Sequence, residues 1–269
     1  PLAMNFRYDG GQNPSYSVLA GVLQRLIEAA KAGKVESPIQ QLDRNSAGPA
    51  MALDFTGRPG EAAFSGQTIV EFVGRGGLGA VSAAANLVQI VNGQAAVADT
   101  KGEAITKFAR GIPQFGSEKT GSPTYAAALI DTKRITTYDT GGPRDGYIFF
   151  RADLITPKHF ASLKEGGFIL VNTVYSPERI REKYNIPDSV TIYTIPATKM
   201  ARESLGKDTP NNVLLTALSI IRPDMLSLDE LKGAIGSSLK KKGPDVIKKN
   251  IDLTDAVSTS LKRNEGRKS

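Results

Sequence analysis

The sequence predicts an α/β fold: a doubly wound, mostly parallel sheet with helices on both faces, preceded by an N-terminal helical arm. Two observations carry this. Short β-branched apolar runs alternate with helix-patterned segments from residue 68 to 205, and such alternation builds parallel strands joined by helical crossovers. The first strand passes into the first helix through a dense glycine run, Gly74 to Gly79, a turn too tight for ordinary residues. Right-handed crossovers then place helices on both faces.

Before that domain, Pro14 to Gly33 reads as a helix. Ser15 can cap it, and Val18, Leu19, Val22, Leu23, Leu26, Ile27 and Ala30 share one face. Val35 to Gly66 loses this periodicity and gains Pro38, Pro49 and Pro59 with several glycines, so residues 1–66 are expected to be an arm whose helix needs a surface to cover. The domain itself is expected over residues 67–258, with a basic tail at 259–269. Ile69 to Val73 is the first strand, and Ala80 to about Asn92 the first helix. Ala95 to Ala98 reads as a second strand ending at Asp99. Lys101 to Pro123, rich in Gly, Thr and charge, reads as irregular. Strands are then expected at Tyr125–Ile130, Tyr147–Phe150, Phe168–Asn172 and Val190–Ile195. A turn is expected at Thr140 to Pro143, and helices at Thr156–Leu163, from Ser176 to about Lys183, and at Ala197–Leu205. Thr156-Pro157 and Ser176-Pro177 are N-cap and first-turn pairs. Asn211 or Asn212 is expected to cap Val213–Ile221, Ser227 and Glu230 to form a capping box, and a last helix to begin at Thr254.

Composition excludes several chemistries. With no cysteine in 269 residues, disulfides, thiolate metal sites, chain-borne iron–sulfur clusters and cysteine nucleophiles are ruled out. The absence of cysteine fits a cytoplasmic protein, and no run approaches the ~20 apolar residues of a membrane span. The net charge of +7 invites a nucleic-acid reading, but most of the excess lies between Lys240 and Ser269, with no aromatics interleaved for stacking. Lys262, Arg263, Arg267 and Lys268 read as a solvated terminus, so neither nucleic acid nor membrane is expected as a partner.

Gly74-Arg75-Gly76-Gly77-Leu78-Gly79 satisfies G-x-G-x-x-G between a strand and a helix. A helix start offers unpaired N–H groups and partial positive charge, which suit an anion. Asp99, 20 positions beyond Gly79, is where a ribose-binding acid would stand. This pair alone favours a Rossmann-type NAD-dependent dehydrogenase, although no hydride-transfer apparatus is recognisable. His159 is the only histidine and reads as a surface or helix-packing residue. Glu118, Lys119, Asp131 and Asp153 neighbour loop–sheet junctions, where isolated carboxylates are mostly caps or solvated groups. Neither catalytic residues nor a metal site is expected in this chain.

The segment GIPQFGSEKTGSPTYAAALI, residues 111–130, together with GRGGLGAVSAA, resembles the gamma subunit or domain of the 2-oxoacid:ferredoxin oxidoreductases of the pyruvate synthase type. That family follows a G-R-G-G-Q-G-A-V turn with P-x-F-G-x-E-R-R-G-x-P; this chain keeps Pro113, Phe115, Gly116, Glu118, Gly121 and Pro123. GGFILVNT, PATKMARESLG, PNNVLLTALS and KKNIDLTDAV are similar to the family's later segments, so the resemblance spans about residues 68–258 in order.

The resemblance implies an assembly subunit of an anaerobic-type enzyme that decarboxylates a 2-oxoacid, usually to acyl-coenzyme A, and delivers electrons to ferredoxin. Thiamine diphosphate, Mg2+ and [4Fe-4S] clusters are then held by alpha, beta and delta-type partner subunits. This chain would contribute to coenzyme A binding, through Gly74, Arg75, Gly76, Gly77, Gly79, Phe115, Gly116, Glu118, Lys119 and Gly121. Departures bear on that role: Leu78 replaces the usual Gln, Lys119-Thr120 the usual Arg-Arg, and Thr216 stands where Gly is common. Lys cannot make the forked contacts of Arg. A member acting without coenzyme A, for example on oxalate, therefore stays open, as do the dehydrogenase and a regulatory ligand-binding module.

Overall fold

The computed structural model describes residues 67–101, 107–115, 122–135 and 142–264. The arm over residues 1–66, including its expected helix, lies outside the described residues, as do Thr140, Gly141 and the last residues of the basic tail. Seven strands form one sheet in the order β2-β3-β1-β4-β5-β6-β7. They are β1 (Thr68–Arg75), β2 (Phe108–Phe115), β3 (Pro123–Asp131), β4 (Arg144–Phe149), β5 (Leu163–Asn172), β6 (Thr191–Ile195) and β7 (Lys262–Asn264). The helices are α1 (Ala80–Lys101), α2 (Pro157–Ala161), α3 (Pro177–Tyr184), α4 (Ala197–Leu205), α5 (Asn211–Ile221), α6 (Leu228–Ser238) and α7 (Pro244–Ser260).

The sheet is mixed around a parallel centre. β1, β4, β5 and β6 pair in parallel, while β3 runs against β1 and β2, and β7 against β6. Both faces are covered, as the alternation implies. Val70, Phe72, Ile148, Leu170 and Ile195 pack under α1, α4, α5, α6 and α7. Val73, Phe149, Ile169, Val171 and Ile192 pack against Ile180 of α3 and the loop residues Leu154, Ile186 and Val190. Strands buried on both sides read as unbroken apolar runs, and Phe168 to Val171 is one. A Cβ on Gly146 would sit 2.4 Å from the Phe168 ring, so glycine lets that ring lie across β4.

Several expectations need correction. The helix expected over Thr156–Leu163 ends at Ala161, and Leu163 already belongs to β5. α1 continues to Lys101, so Ala95 to Ala98 is helix and Asp99 does not end a strand. Alanine is the best helix former, and Gly93 costs the helix only about 1 kcal/mol, which packing outweighs. β2 crosses the segment read as irregular; its Pro113 is tolerated because β2 is an edge strand. Its outer side is held by Asn92, whose amide donates to the carbonyl of Ala109 and accepts from the N–H of Ala109, both at 2.9 Å. Finally, α7 starts at Pro244 rather than Thr254, after Gly243 at φ +90°. Beyond α7, Lys262 and Arg263 keep exposed side chains, but their backbone forms the edge strand β7.

The expected caps at Thr156, Ser176 and Ser227 form, whereas α5 is entered from Pro210, so neither Asn211 nor Asn212 caps it. Ser227 and Glu230 bond each other's backbone N–H groups at 3.2 and 2.7 Å, and the Ser176 hydroxyl accepts from Arg179. Thr156 caps α2 with His159 as its reciprocal partner. The His159 ring is buried edge-on to Tyr147 and Phe149, which is the helix-packing role expected for it.

Candidate functional site

Open α/β sheets bind ligands beyond the C-terminal ends of their parallel strands. Here that edge carries the glycine turn after β1, Phe150 to Asp153 after β4, Asn172 after β5 and Pro196 after β6. The turn closes with a hydrogen bond from Leu78 N–H to the Arg75 carbonyl at 3.0 Å, and Gly77 at φ +81° supplies the positive φ a type II turn needs at its third residue. Each glycine has its own use. Gly74 lets β1 and α1 approach closely, since a Cβ there would stand 2.9 Å from that of Ala80. Gly76 and Gly77 face open space. Gly79 lies at φ +94° and its carbonyl accepts the first helical bond, from Ala83. The N–H groups of Ala80 to Ser82 precede that bond and have no acceptor within the helix. No acidic residue stands in the first turn of α1 to oppose an anion.

Arg75, on the rim of the turn, pairs with Asp153 at 3.0 Å, and Asp153 pairs with Arg151 at 2.9 Å. The hydrogen bond from Arg151, aided by the charges of Arg151 and Arg75, holds the Asp153 carboxyl below the usual carboxylate range against its partial burial. The three groups carry one net positive charge. Among the described residues the buried Arg75 Nε has no hydrogen-bond partner.

Strand register brings the second motif to the same edge. Gly74 pairs with Thr124 of β3, and Thr124 pairs with Phe115 at the end of β2. Strands stand about 4.8 Å apart, so the backbones of Gly74 and Phe115 lie about 10 Å from each other across one row. Gly116, Glu118, Lys119 and Gly121 fall outside the described residues; the strand ends that flank them, Phe115 and Pro123, are both on this edge. Asp131 lies at the opposite end of β3, where its carboxylate accepts from Lys133 N–H at 3.0 Å. It is a turn-forming residue.

Asp99 joins none of this. It lies in α1, and the place beside β1 that a Rossmann second strand would take is held by antiparallel β3. Sequence reasoning missed Asn172, whose side-chain amide donates to the Phe150 carbonyl and the Thr198 hydroxyl and whose oxygen accepts from Thr198 N–H. It ties the ends of β4 and β5 to the start of α4 and lines a cleft of about 450 Å³ with Arg151, Asp153, Lys183 and Thr198. Its signal was an Asn closing an apolar strand. Among the described residues no cluster of His, Asp or Glu suits a metal ion, and no helix is long and apolar enough to cross a membrane.

Comparison with known proteins adds the family. The model described as pyruvate ferredoxin/flavodoxin oxidoreductase matches residues 69–259. The pyruvate/ketoisovalerate oxidoreductases common subunit gamma of Thermococcus litoralis is 30% identical over 190 residues, 69% of this chain and 96% of the relative. The pyruvate oxidoreductase subunit PORC of Thermotoga maritima superimposes with a TM-score of 0.59 at 24% identity, covering 74% of this chain and 99% of that one. A 2-oxoglutarate:ferredoxin oxidoreductase of Magnetococcus marinus, solved with 2-oxoglutarate, coenzyme A and succinyl-CoA bound, gives a TM-score of 0.53 at 19% identity, covering 72% of this chain and 31% of that one. At these identities the two structures speak for the fold alone.

Proposed function

The chain belongs to the pyruvate ferredoxin/flavodoxin oxidoreductase family, and from that premise we propose that it is the gamma-type subunit of a 2-oxoacid:ferredoxin oxidoreductase. In this reading the chain has no complete active site. Thiamine diphosphate, Mg2+ and [4Fe-4S] clusters belong to alpha, beta and delta-type partners, which decarboxylate the 2-oxoacid and pass its electrons to ferredoxin. The subunit name of the Thermococcus relative supports the assignment, and a chain without cysteine agrees with clusters held elsewhere.

The chain's own contribution is a seat for the phosphates of coenzyme A, whose thiol is the acyl acceptor. The observation that carries this is the register row from Gly74 through Thr124 to Phe115, which sets two separate motifs on one ligand-facing edge. The residues fit an anion there. Gly76 and Gly77 leave the backbone open, the start of α1 supplies N–H donors, and the Arg75 Nε lacks a partner among the described residues. Gly74 and Gly79 shape the turn; Phe115, Gly116, Glu118, Lys119 and Gly121 are proposed as the remaining contributors on the strength of the family resemblance, with the described strand ends Phe115 and Pro123 both at this edge. Arg75→Ala and Lys119→Ala in the assembled complex are expected to weaken coenzyme A at least tenfold while leaving 2-oxoacid binding unchanged. Unaltered affinity in both variants defeats the assignment.

The ion pair between Arg75 and Asp153 favours a second reading, in which the complex acts without coenzyme A, for example on oxalate. A carboxylate already holding the turn's guanidinium weakens its pull on phosphate. Activity of the complex across a panel of 2-oxoacids, with and without coenzyme A, separates the two.

A further inference from the structure

We infer that the small cleft between the ends of β5 and β6 and the edge strand β7 is a second anion seat, built for a phosphate-type oxyanion. Its volume is about 260 Å³, enough for a phosphate group. Among the described residues, the polar side chains lining it are those of Thr173, Tyr175, Thr194, Lys199, Ser260 and Lys262. Those are four hydroxyls and two ammonium groups, with no carboxylate.

The floor is the most telling part. Thr194 is 1% exposed, and its hydroxyl has no hydrogen-bond partner among the described residues. A buried polar group left unpaired costs about 1–3 kcal/mol, so an orphan hydroxyl calls for an explanation. Thr194 is the cross-strand partner of Lys262, and residues opposite each other in an antiparallel pair point to the same face, with Cβ atoms about 5 Å apart. The orphan donor and a cation thus share one face of the sheet.

The other donors are similarly available. The Thr173 hydroxyl accepts from Tyr175 N–H at 3.2 Å, which leaves its own proton to donate. Lys199 stands 3.8 Å from Glu203, both well exposed, a geometry of little energetic weight. Glu178, the carboxylate that feels the charge of Lys262, is already held by the Asn264 side-chain amide at 2.9 Å. A ligand rich in acceptors and negative charge suits the orphan Thr194 hydroxyl, the free proton of Thr173 and the two ammonium groups together, whereas a cation would be repelled by Lys199 and Lys262 and an apolar group would pair with none of them.

This seat stands apart from the glycine turn and does not depend on coenzyme A binding there. The test is a titration of the full-length chain with inorganic phosphate and, separately, with coenzyme A, followed by amide NMR. Phosphate is expected to shift Thr173, Thr194 and Lys262 saturably, with affinity at least tenfold weaker in Thr194→Val and in Lys262→Ala but unchanged in Arg75→Ala. Shifts with coenzyme A alone also sustain the seat and identify its anion as part of a larger ligand. Thr194→Val removes an unpaired hydroxyl at nearly constant volume, so its melting temperature should not fall; if it does, the exposed Lys262→Ala carries the test. No shift with either anion, or binding indifferent to both substitutions, overturns the inference.

Discussion

The side-chain amide of Asn211 donates to the carbonyl of Gly79 at 3.3 Å, joining the first residue of α5 to the residue that launches α1. The two are 132 positions apart in the chain. The close approach of this amide requires glycine at the end of the turn, because a Cβ on Gly79 would lie 2.5 Å from the Asn211 Oδ1. Gly79→Ala must accept φ near +94° and displace that amide, so unfolding experiments should show a loss of about 1–3 kcal/mol. Asn211→Ala alone makes room without relieving the backbone. The double variant should therefore remain less stable than Asn211→Ala.

Asn92 should protect the edge of the sheet. Its side chain occupies both outward hydrogen-bonding groups of Ala109 in β2, groups that an open edge would offer to another chain. Asn92→Ala is expected to cost about 1–2 kcal/mol. Hydrogen exchange at Ala109 should accelerate in that variant while exchange at Leu170, in the sheet centre, keeps pace only with the global loss.

His159 gives the stability a dependence on acid. Burial pushes its pKa below 6.5 in the folded chain, and the Thr156 N–H donates to its Nδ1 at 3.0 Å, as a neutral ring requires. Above 6.5 the ring is neutral in both states and its contribution is complete. As pH falls below 6.5 the unfolded chain takes up a proton that the folded chain resists, so stability declines until the folded pKa is passed. Melting temperature should drop as the pH is lowered below 6.5. His159→Gln, which keeps an acceptor at the capping position, should flatten that part of the profile.

How far the fold was legible depended on whether a segment's signal was local. Ser227 with Glu230, and the segment Ala197–Leu205, carry their caps and periodicity within a few residues, and each forms the element expected. Ala95 to Ala98 does not, because a short apolar run has the same appearance in a helix and a strand. Its place was decided by continuity with α1. β2 was hidden by Gly111 and Pro113, residues that disfavour a central strand but are harmless at an edge. Asn211 has the composition of a cap, yet it sits inside the helix and uses its amide on Gly79.

The same distinction applies to the site. Gly74 to Gly79 could be read from spacing, since backbone turns need particular residues at particular places. The nearness of Phe115 could not, because it follows from β3 being inserted between β1 and β2. Asp99 misled for the complementary reason: its spacing from Gly79 suited a ribose, but the strand that would have delivered it there is helix.

The central claim is that this chain works as one subunit of a larger oxidoreductase. Its most direct test is to purify the tagged full-length chain from its native host under anaerobic conditions and assay 2-oxoacid-dependent reduction of ferredoxin. The account predicts a brown assembly in which larger chains carry iron–sulfur clusters and thiamine diphosphate, with activity lost when this chain is removed and restored when it is added back. A colourless chain that purifies alone and binds NAD would contradict it.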